Sequence, residues 1–260
     1  MDIIIPSWPV PTNISTAITT RSGGCSTSPW DSLNLAFHVG DNPESVKQNW
    51  QSVSEQLNLP SMPQLLNQVH GIDIVEVGIR KEIANEIIPT ADGCYTKISN
   101  HICTVMTADC LPILFCNAEG TEVAAIHAGW RGLAAGVVSN AVKQFCSPAI
   151  DLMAYLGPAI SQRNFEVGPE VRQAFLSSSS HEHVQHKINA CFTQSDSEHG
   201  NSKGDHWIAD LYGLARIALN QTGISQIYGG DFCSYADAER FYSYRRDGQT
   251  GRMASLIWIS

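Results

Sequence analysis

Short apolar runs separated by turn residues recur along the chain and predict β-strands. Runs of four to eight β-branched or aliphatic residues are typical of buried strands. They lie near residues 14–19, 64–69, 73–77, 101–106, 111–116, 121–126, 152–156, 227–229 and 256–259. The runs at 111–116 and 121–126 flank Asn117-Ala-Glu-Gly120, whose asparagine and glycine favour a turn. These two runs therefore predict a β-hairpin.

Helical spacing of apolar residues appears in three places. Asn42-Pro43 supplies an N-cap and a first-turn proline, and apolar residues then recur every three or four positions. Residues 132–145 carry an apolar stripe that predicts a second helix. A third helix is expected to begin after Asp210 and to end at Gly223.

Hairpins mixed with single helices predict an α+β fold in which helices cover mixed sheets. No internal repeat and no proline-, serine- or glycine-rich linker divides the 260 residues, so we expect a single domain spanning 1–260. Residues 177–204 are polar and contain a run of four serines, which predicts a surface loop.

Composition and charge narrow the function. The hydrophobic fraction of 43% and the charged fraction of 16% are typical of a soluble globular protein. A net charge of −9 argues against a general affinity for nucleic acid or anionic membranes. The N-terminal apolar run is too short for a signal peptide or a membrane span, so we expect a cytoplasmic protein. Its eight cysteines form no Cys-x-x-Cys pair, and most are expected to be small buried residues.

A cysteine and a histidine lie at the two ends of the predicted hairpin. If the loop is centred between Ala118 and Glu119, Cys110 lies directly opposite His127, with Cβ atoms about 5 Å apart. A three-residue bulged loop would instead place Ala128 opposite Cys110. The cysteine and histidine suit either a thiolate–imidazole dyad or two ligands of one metal ion.

His70 is a candidate third ligand, because a glycine follows it at the end of a predicted strand. One cysteine and two histidines leave a fourth coordination position open, as in catalytic zinc sites. Two alternatives stay open, a zinc-free hydrolase with Cys110 as nucleophile and His127 as base, and a binding module without catalysis. Asp92 suits a turn as well as catalysis, and Asp109 suits the orientation of a loop or a histidine.

Three arginines are candidates for binding substrate or phosphate. Arg21 lies in the glycine-containing segment Thr20-Arg-Ser-Gly-Gly24, and Arg131 lies at a predicted helix start. Arg245 belongs to an aromatic and arginine-rich C-terminal segment that also contains Arg252 and is predicted to be a hairpin. Structural salt bridges explain each arginine about as well as anion binding does.

Ordered motifs over nearly the whole chain resemble the YfiH-like family, also called the laccase-domain or polyphenol-oxidase family. The resemblance implies a four-layer α/β/β/α arrangement of mixed sheets, and zinc ligands at His70, Cys110 and His127. The matching motifs are Asn67-Gln-Val-His-Gly71, Ala91-Asp-Gly93, Thr107-Ala-Asp-Cys-Leu-Pro112, His127-Ala-Gly-Trp-Arg-Gly132, Leu156-Gly-Pro-Ala-Ile160 and Phe241-Tyr-Ser-Tyr-Arg-Arg246.

Four activities are associated with this family. Members are described as purine nucleoside phosphorylases that act on adenosine, inosine and methylthioadenosine, with adenosine deaminase activity at the same site. Other descriptions are a multicopper oxidase and an amide hydrolase acting on peptidoglycan precursors. Copper oxidases need many imidazoles in His-x-His pairs, and the nine histidines here include one such pair. We therefore expect a zinc enzyme whose partners are a nucleoside and phosphate, with the Cys-His amide hydrolase as the alternative and copper chemistry least favoured.

Overall fold

A computed structural model describes residues 1–78, 88–195 and 206–260. The α-helices in these ranges are α1 (Pro43–Leu57), α2 (Trp130–Ala135), α3 (Val137–Val142), α4 (Pro169–Ser177), α5 (Glu182–Ala190), α6 (Leu211–Thr222) and α7 (Tyr244–Asp247). The strands are β1 (Ile3–Ile4), β2 (Ile14–Thr19), β3 (Ile74–Glu76), β4 (Gly93–Thr96), β5 (Ile102–Thr107), β6 (Leu111–Asn117), β7 (Val123–Ala128), β8 (Leu152–Leu156), β9 (Glu166–Val167), β10 (Phe192–Gln194), β11 (Trp207–Ala209), β12 (Gln226–Gly229) and β13 (Met253–Ile259).

The described strands form two large sheets and one small one. The four-stranded sheet has the order β1-β2-β13-β5 and is antiparallel throughout. The six-stranded sheet has the order β12-β8-β6-β7-β4-β3 and is mixed, because its outer pairs β12–β8 and β3–β4 are parallel. Strands β10, β11 and β9 form a small antiparallel sheet beside them.

Alternating side chains sort the core into layers. Along β6, Leu111 and Ile113 pack with the helices α2, α3 and α6, whereas Leu114 packs into the core shared with the four-stranded sheet. The outer face of that sheet packs against α1 through Trp50 and Leu256. The predicted four-layer α/β/β/α arrangement is confirmed. Strands β6 and β7 are buried on both faces, which explains why they read as continuous apolar runs.

Two predicted elements differ from the structure. The helix expected over residues 132–145 is two short helices, α2 and α3, because Gly136 between them adopts φ +99° and ends the first. In place of the strand expected over 64–69, the structure has isolated bridges at Gln64 and Asn67.

A predicted loop and a predicted hairpin also differ from the structure. Residues 177–204 were predicted to form a surface loop, but they include α5 and β10, and residues 196–205 lie outside the described ranges. Val184 and Ile188 of α5 are four residues apart and both enter the main core, which stabilises a helix there. The predicted C-terminal hairpin is α7 followed by β13, because the Ser243 side chain accepts the Arg246 N–H and caps a helical turn.

Fewer cysteines are buried than the composition predicts. All eight are free thiols, and the buried ones are Cys94, Cys103 and Cys116. Among the described residues, no helix has the length and apolar composition needed to cross a membrane. The cytoplasmic location and the single-domain organisation stay predictions.

Candidate metal centre

Three side chains with metal-binding atoms converge at one end of the six-stranded sheet. His70 lies in the segment before β3, Cys110 immediately precedes β6, and His127 belongs to β7. Their ligand atoms all lie within 4.8 Å of one another, and the two imidazole rings meet edge to face with centroids 4.8 Å apart. The structure therefore brings together the three residues that the sequence predicts as candidate ligands.

The hairpin register differs from the prediction by two residues. Pro112 pairs with His127, so continuation of the ladder places Gly129 opposite Cys110. A shift of two residues keeps every side chain on its original face of the sheet. Cys110 and His127 therefore still share a face and meet as diagonal rather than direct neighbours.

Asp92 orients the imidazole of His127. It immediately precedes β4, and its main-chain oxygen accepts the His127 N–H at 2.7 Å. Its carboxylate oxygen Oδ1 lies 2.8 Å from His127 Nδ1, and the residue has no exposed surface. Because Nδ1 is engaged, Nε2 is the nitrogen available to a metal.

The same carboxylate also positions His70. It accepts the N–H groups of Val69, His70 and Gly71 at 3.2, 2.9 and 2.6 Å. These bonds hold His70 at φ +62°, a left-handed conformation that a histidine rarely adopts. One buried acid thus positions two of the three candidate ligands.

The metal-free cluster stabilises a thiolate beside an imidazolium. Burial opposes ionisation of the Cys110 thiol, but the charge of His127 and hydrogen bonds from both histidines lower its pKa to about 6. Burial likewise disfavours the charged form of His127, but the Cys110 thiolate and Asp92 raise its pKa to about 9. At neutral pH the sulfur is therefore in the form that binds metals, and a bound metal would displace the imidazolium proton.

The donor set fits a metal of the zinc type. Two imidazole nitrogens and one thiolate are common zinc ligands, and the same donors also occur in copper sites. Tetrahedral ligands of one zinc ion, at about 2.0–2.3 Å from it, lie about 3.3–3.8 Å apart, so the most widely separated ligand atoms of the cluster must close by about 1 Å to share an ion. His70 is exposed, Cys110 half-buried and His127 buried, so the cluster is accessible from one side.

A glycine allows this close approach. An added Cβ at Gly129 would lie 2.9 Å from His70 Cδ2 and 3.1 Å from Cys110 Sγ. Both distances are shorter than ordinary van der Waals contact. Any side chain at this position would therefore push directly on two of the candidate ligands.

The guanidinium of Arg21 is bound within its own surroundings. It donates to the main-chain oxygens of Asp31 and Ala238 at 3.0–3.1 Å and to the Asp31 carboxylate at 3.3 Å. It also lies 4.9 Å from the centroid of the Tyr242 ring. Phosphate binding by Arg21 stays a prediction.

Arg131 and Arg245 lie on the surface. The Arg131 guanidinium lies 4.3 Å from the ring centroid of Trp130 at the start of α2. Arg245 donates through Nη1 to the Glu166 carbonyl at 2.8 Å. Their roles in substrate binding also stay predictions.

Asp109 anchors the segment that carries Arg245. Its carboxylate accepts the hydroxyls of Ser234 and Ser243 at 2.7 and 3.0 Å and the Arg245 N–H at 2.6 Å. This is the loop-orienting role that the sequence analysis considered for Asp109. The φ of +92° at Asp109 turns the chain between β5 and the neighbouring Cys110.

The chain matches a described protein family. The family model for multi-copper polyphenol oxidoreductase laccase matches residues 15–260. A purine nucleoside phosphorylase, YfiH of Escherichia coli, is 47% identical over 257 residues, which cover 99% of this chain and 98% of that protein. A purine nucleoside phosphorylase of Haemophilus influenzae is 43% identical over 259 residues and the full length of both chains.

The fold is likewise shared with a solved structure. The crystal structure of the Neisseria meningitidis protein NMB0706 superposes with a TM-score of 0.88 at 43% sequence identity. The match covers all of both chains. The layers described above are therefore those of a known architecture.

Proposed function

This chain belongs to the family described as multi-copper polyphenol oxidoreductase laccase, and from that premise we propose that it is a zinc-dependent purine nucleoside phosphorylase. Full-length relatives at 47% and 43% identity carry the name purine nucleoside phosphorylase. The observation that supports a reaction site is the accessible cluster of His70, Cys110 and His127. We propose adenosine, inosine and methylthioadenosine as substrates, with deamination of adenosine at the same site.

In this proposal, His70, Cys110 and His127 hold zinc. Bound zinc would act as a Lewis acid toward a substrate oxygen or would acidify a water molecule. Asp92 engages Nδ1 of His127, which would leave Nε2 to bind the metal, and it holds the backbone of His70 in place. Together these residues fix the substrate relative to its attacking group, which is a large part of catalysis by positioning.

Phosphorolysis also requires a bound phosphate. An oxygen of hydrogen phosphate forms a bond to C1′ of the ribose while the bond from C1′ to the base nitrogen breaks. The electron pair of that bond goes to the base, which takes the proton of the phosphate. Arg21, Arg131 and Arg245 are the predicted substrate and phosphate ligands in this scheme. The proposed partners are thus small molecules rather than nucleic acids.

One observation supports a second candidate, the Cys-His amide hydrolase acting on peptidoglycan precursors. Cys110, His127 and Asp92 stand in the order nucleophile, base and orienting acid. A catalytic dyad of Cys110 and His127, with or without Asp92, leaves His70 without a role, whereas a three-ligand metal site includes it. Zinc therefore ranks first in this proposal.

Copper chemistry ranks last. The family description mentions multiple coppers, whereas the part of the chain that the structure describes contains one group of three candidate metal ligands. Multicopper oxidation needs several copper sites with many imidazoles.

One experiment separates these functions. Metal content would be measured on the purified protein, and a nucleoside panel would be assayed with and without phosphate. Base release that requires phosphate supports the phosphorylase, and ammonia release from adenosine supports the deaminase activity. Full turnover by metal-free protein, with alkylation of Cys110 tracking inactivation, would contradict the zinc proposal and favour the cysteine hydrolase.

A further inference from the structure

Arg252 lies beside the metal centre although it belongs to another sheet. It immediately precedes β13, whose first residue Met253 pairs with Thr107 at the end of β5. The chain leaves β5 at that point and reaches Cys110 three residues later. The end of the four-stranded sheet thus brings Arg252 and the metal cluster to the same edge of the molecule.

The guanidinium of Arg252 is held on one side and free on the other. Its Nη1 donates to the carbonyls of Thr250 and Gly251 at 2.9 and 3.0 Å, and its main-chain N–H donates to Asn34 at 3.0 Å. Among the described residues, Nε and Nη2 form no hydrogen bond, and the Tyr244 ring lies over the guanidinium with its centroid 5.9 Å from Cζ. A fixed guanidinium with an unused donor edge is the arrangement that binds a phosphate in bidentate fashion.

Contacts through α7 link this edge to the cluster, because Arg252 Cζ lies 5.9 Å from the Tyr244 ring centroid and the N–H of Arg245 donates to Asp109, the residue before Cys110. Burial lowers the pKa of Arg252, and the charges of Cys110 and Asp109 act in the opposite direction. His38 lies three residues after Leu35, whose N–H donates to the Arg252 carbonyl at 3.4 Å, and partial burial and the charge of Arg252 both lower the pKa of His38. His38 is therefore neutral at pH 7 and has a ring N–H to donate.

The other candidate arginines differ from Arg252 in bonding or in exposure. Arg21 donates to Asp31 and to Ala238, whereas Arg131 and Arg245 are exposed at the surface and Arg252 is half-buried. The Asp109 carboxylate is bound by two hydroxyls and one main-chain N–H, so its oxygens are directed toward those donors. Arg252 is thus a half-buried arginine at this edge whose Nε and Nη2 donors are left for an anion.

We propose that Arg252, assisted by His38, binds inorganic phosphate beside the metal cluster and presents it to C1′ of the nucleoside. This inference rests on the proposed phosphorylase function and identifies its phosphate subsite. The guanidinium fork binds two phosphate oxygens, which leaves a third oxygen to attack the ribose.

The test compares Arg252→Gln and Arg252→Lys with Arg172→Gln. Arg172 is the matched control, because its guanidinium lies over the Trp207 ring and donates to Asn189 of α5, outside the proposed phosphate site. Phosphate binding to the zinc-loaded proteins would be measured by calorimetry, and the KM values for phosphate and inosine by steady-state kinetics. We expect Arg252→Gln to raise the Kd and KM for phosphate about 10- to 100-fold while the inosine KM changes little.

Arg252→Lys keeps the charge without the fork, so an intermediate loss is expected. It also carries the test if the glutamine variant fails to fold, which melting temperature and zinc content would reveal. Unchanged phosphate affinity in a folded Arg252 variant, a larger loss in Arg21→Gln, or wild-type protein that binds no phosphate would each overturn the inference. Phosphate binding that depends on Arg252 without cleavage of any nucleoside would instead overturn the proposed function and leave the anion site standing.

Discussion

Two buried carboxylates lie at opposite ends of the antiparallel pair β4–β7. Asp92 precedes β4 and is fully buried, whereas Glu122 precedes β7 and is 5% exposed. Each accepts several hydrogen bonds, and each has a pKa below its ordinary value, because those bonds outweigh the effect of burial. At both ends, therefore, a buried carboxylate with a lowered pKa accepts several hydrogen bonds from neighbouring groups.

The partners of the two acids differ in their chemistry. Glu122 accepts the Tyr95 hydroxyl, the main-chain N–H groups of Cys146 and Ser147 and the Ser147 hydroxyl. These bonds close a loop against the sheet and involve no imidazole. Asp92 uses its bonds to orient His70 and His127 toward Cys110, so a similar acid organises the candidate metal centre at one end and a loop at the other.

The largest expected difference between the two ends is in activity. Cys110→Ala removes the sulfur ligand, so we expect nucleoside cleavage to fall about 1000-fold or more and bound zinc to be lost. Cys146→Ala, at the Glu122 end, is the matched control and should retain both zinc and activity. Steady-state kinetics and metal analysis check the pair. Turnover by zinc-loaded Cys110→Ala would show that the cluster is not the reaction site.

The second test exchanges the acids themselves for amides. Asp92→Asn places an amide group where four donors converge, so we expect a loss of about 10- to 100-fold in zinc affinity. Glu122→Gln is expected to leave zinc affinity unchanged. Competition with a chelator measures both constants. Equal losses in the two variants would mean that the acids act on the metal only through overall stability.

Glycines at the two ends provide a third, smaller contrast. Gly129→Ala pushes on His70 and Cys110, and we expect about a tenfold loss of zinc affinity in a folded protein. Gly120→Ala, at the Glu122 end, meets the Asn13 side chain at φ +69°. It should lower the free energy of unfolding by about 1–3 kcal/mol without changing zinc affinity. Zinc titrations combined with urea denaturation separate the two effects, and a weakened zinc site in Gly120→Ala would argue against the separation.

The sequence predicts the positions of the strands better than the register in which they pair. The strand over 152–156 has the predicted bounds, because its apolar run is bounded by polar and turn residues. The β6–β7 register is displaced because the Asn117 side chain accepts the N–H groups of Thr121 and Glu122 and closes a four-residue loop. Several turn geometries fit the same turn residues, so composition alone does not select this one.

In the candidate site, too, some residues are predictable from the sequence and others are not. The three candidate ligands are recognisable as residue types that precede a glycine or flank a hairpin. The role of Asp92 is not recognisable, because its partners Val69–Gly71 and His127 are 21 to 35 residues away in the chain. That role depends on the pairing of β4 with β7, two strands that are not consecutive. The one local signal was a buried strand beginning directly after an acid.

The last prediction concerns the acid stability of the Glu122 end. Because the folded pKa of Glu122 lies below its ordinary value of 4.5, its carboxylate contributes stability above that pH. This contribution is lost as the pH falls through the folded pKa. We expect Glu122→Gln to lower the free energy of unfolding by about 1–3 kcal/mol at pH 7, since the amide cannot accept all four donors.

The difference in unfolding free energy between wild type and Glu122→Gln should therefore shrink below about pH 4. Asp92 titrates in both proteins, so its contribution cancels from the difference. Urea denaturation at a series of pH values, with the metal removed from both proteins, measures this difference directly. A difference that stays constant down to pH 3 would show that Glu122 stabilises the loop by its shape rather than its charge. The Glu122 end would then no longer be an electrostatic counterpart of Asp92.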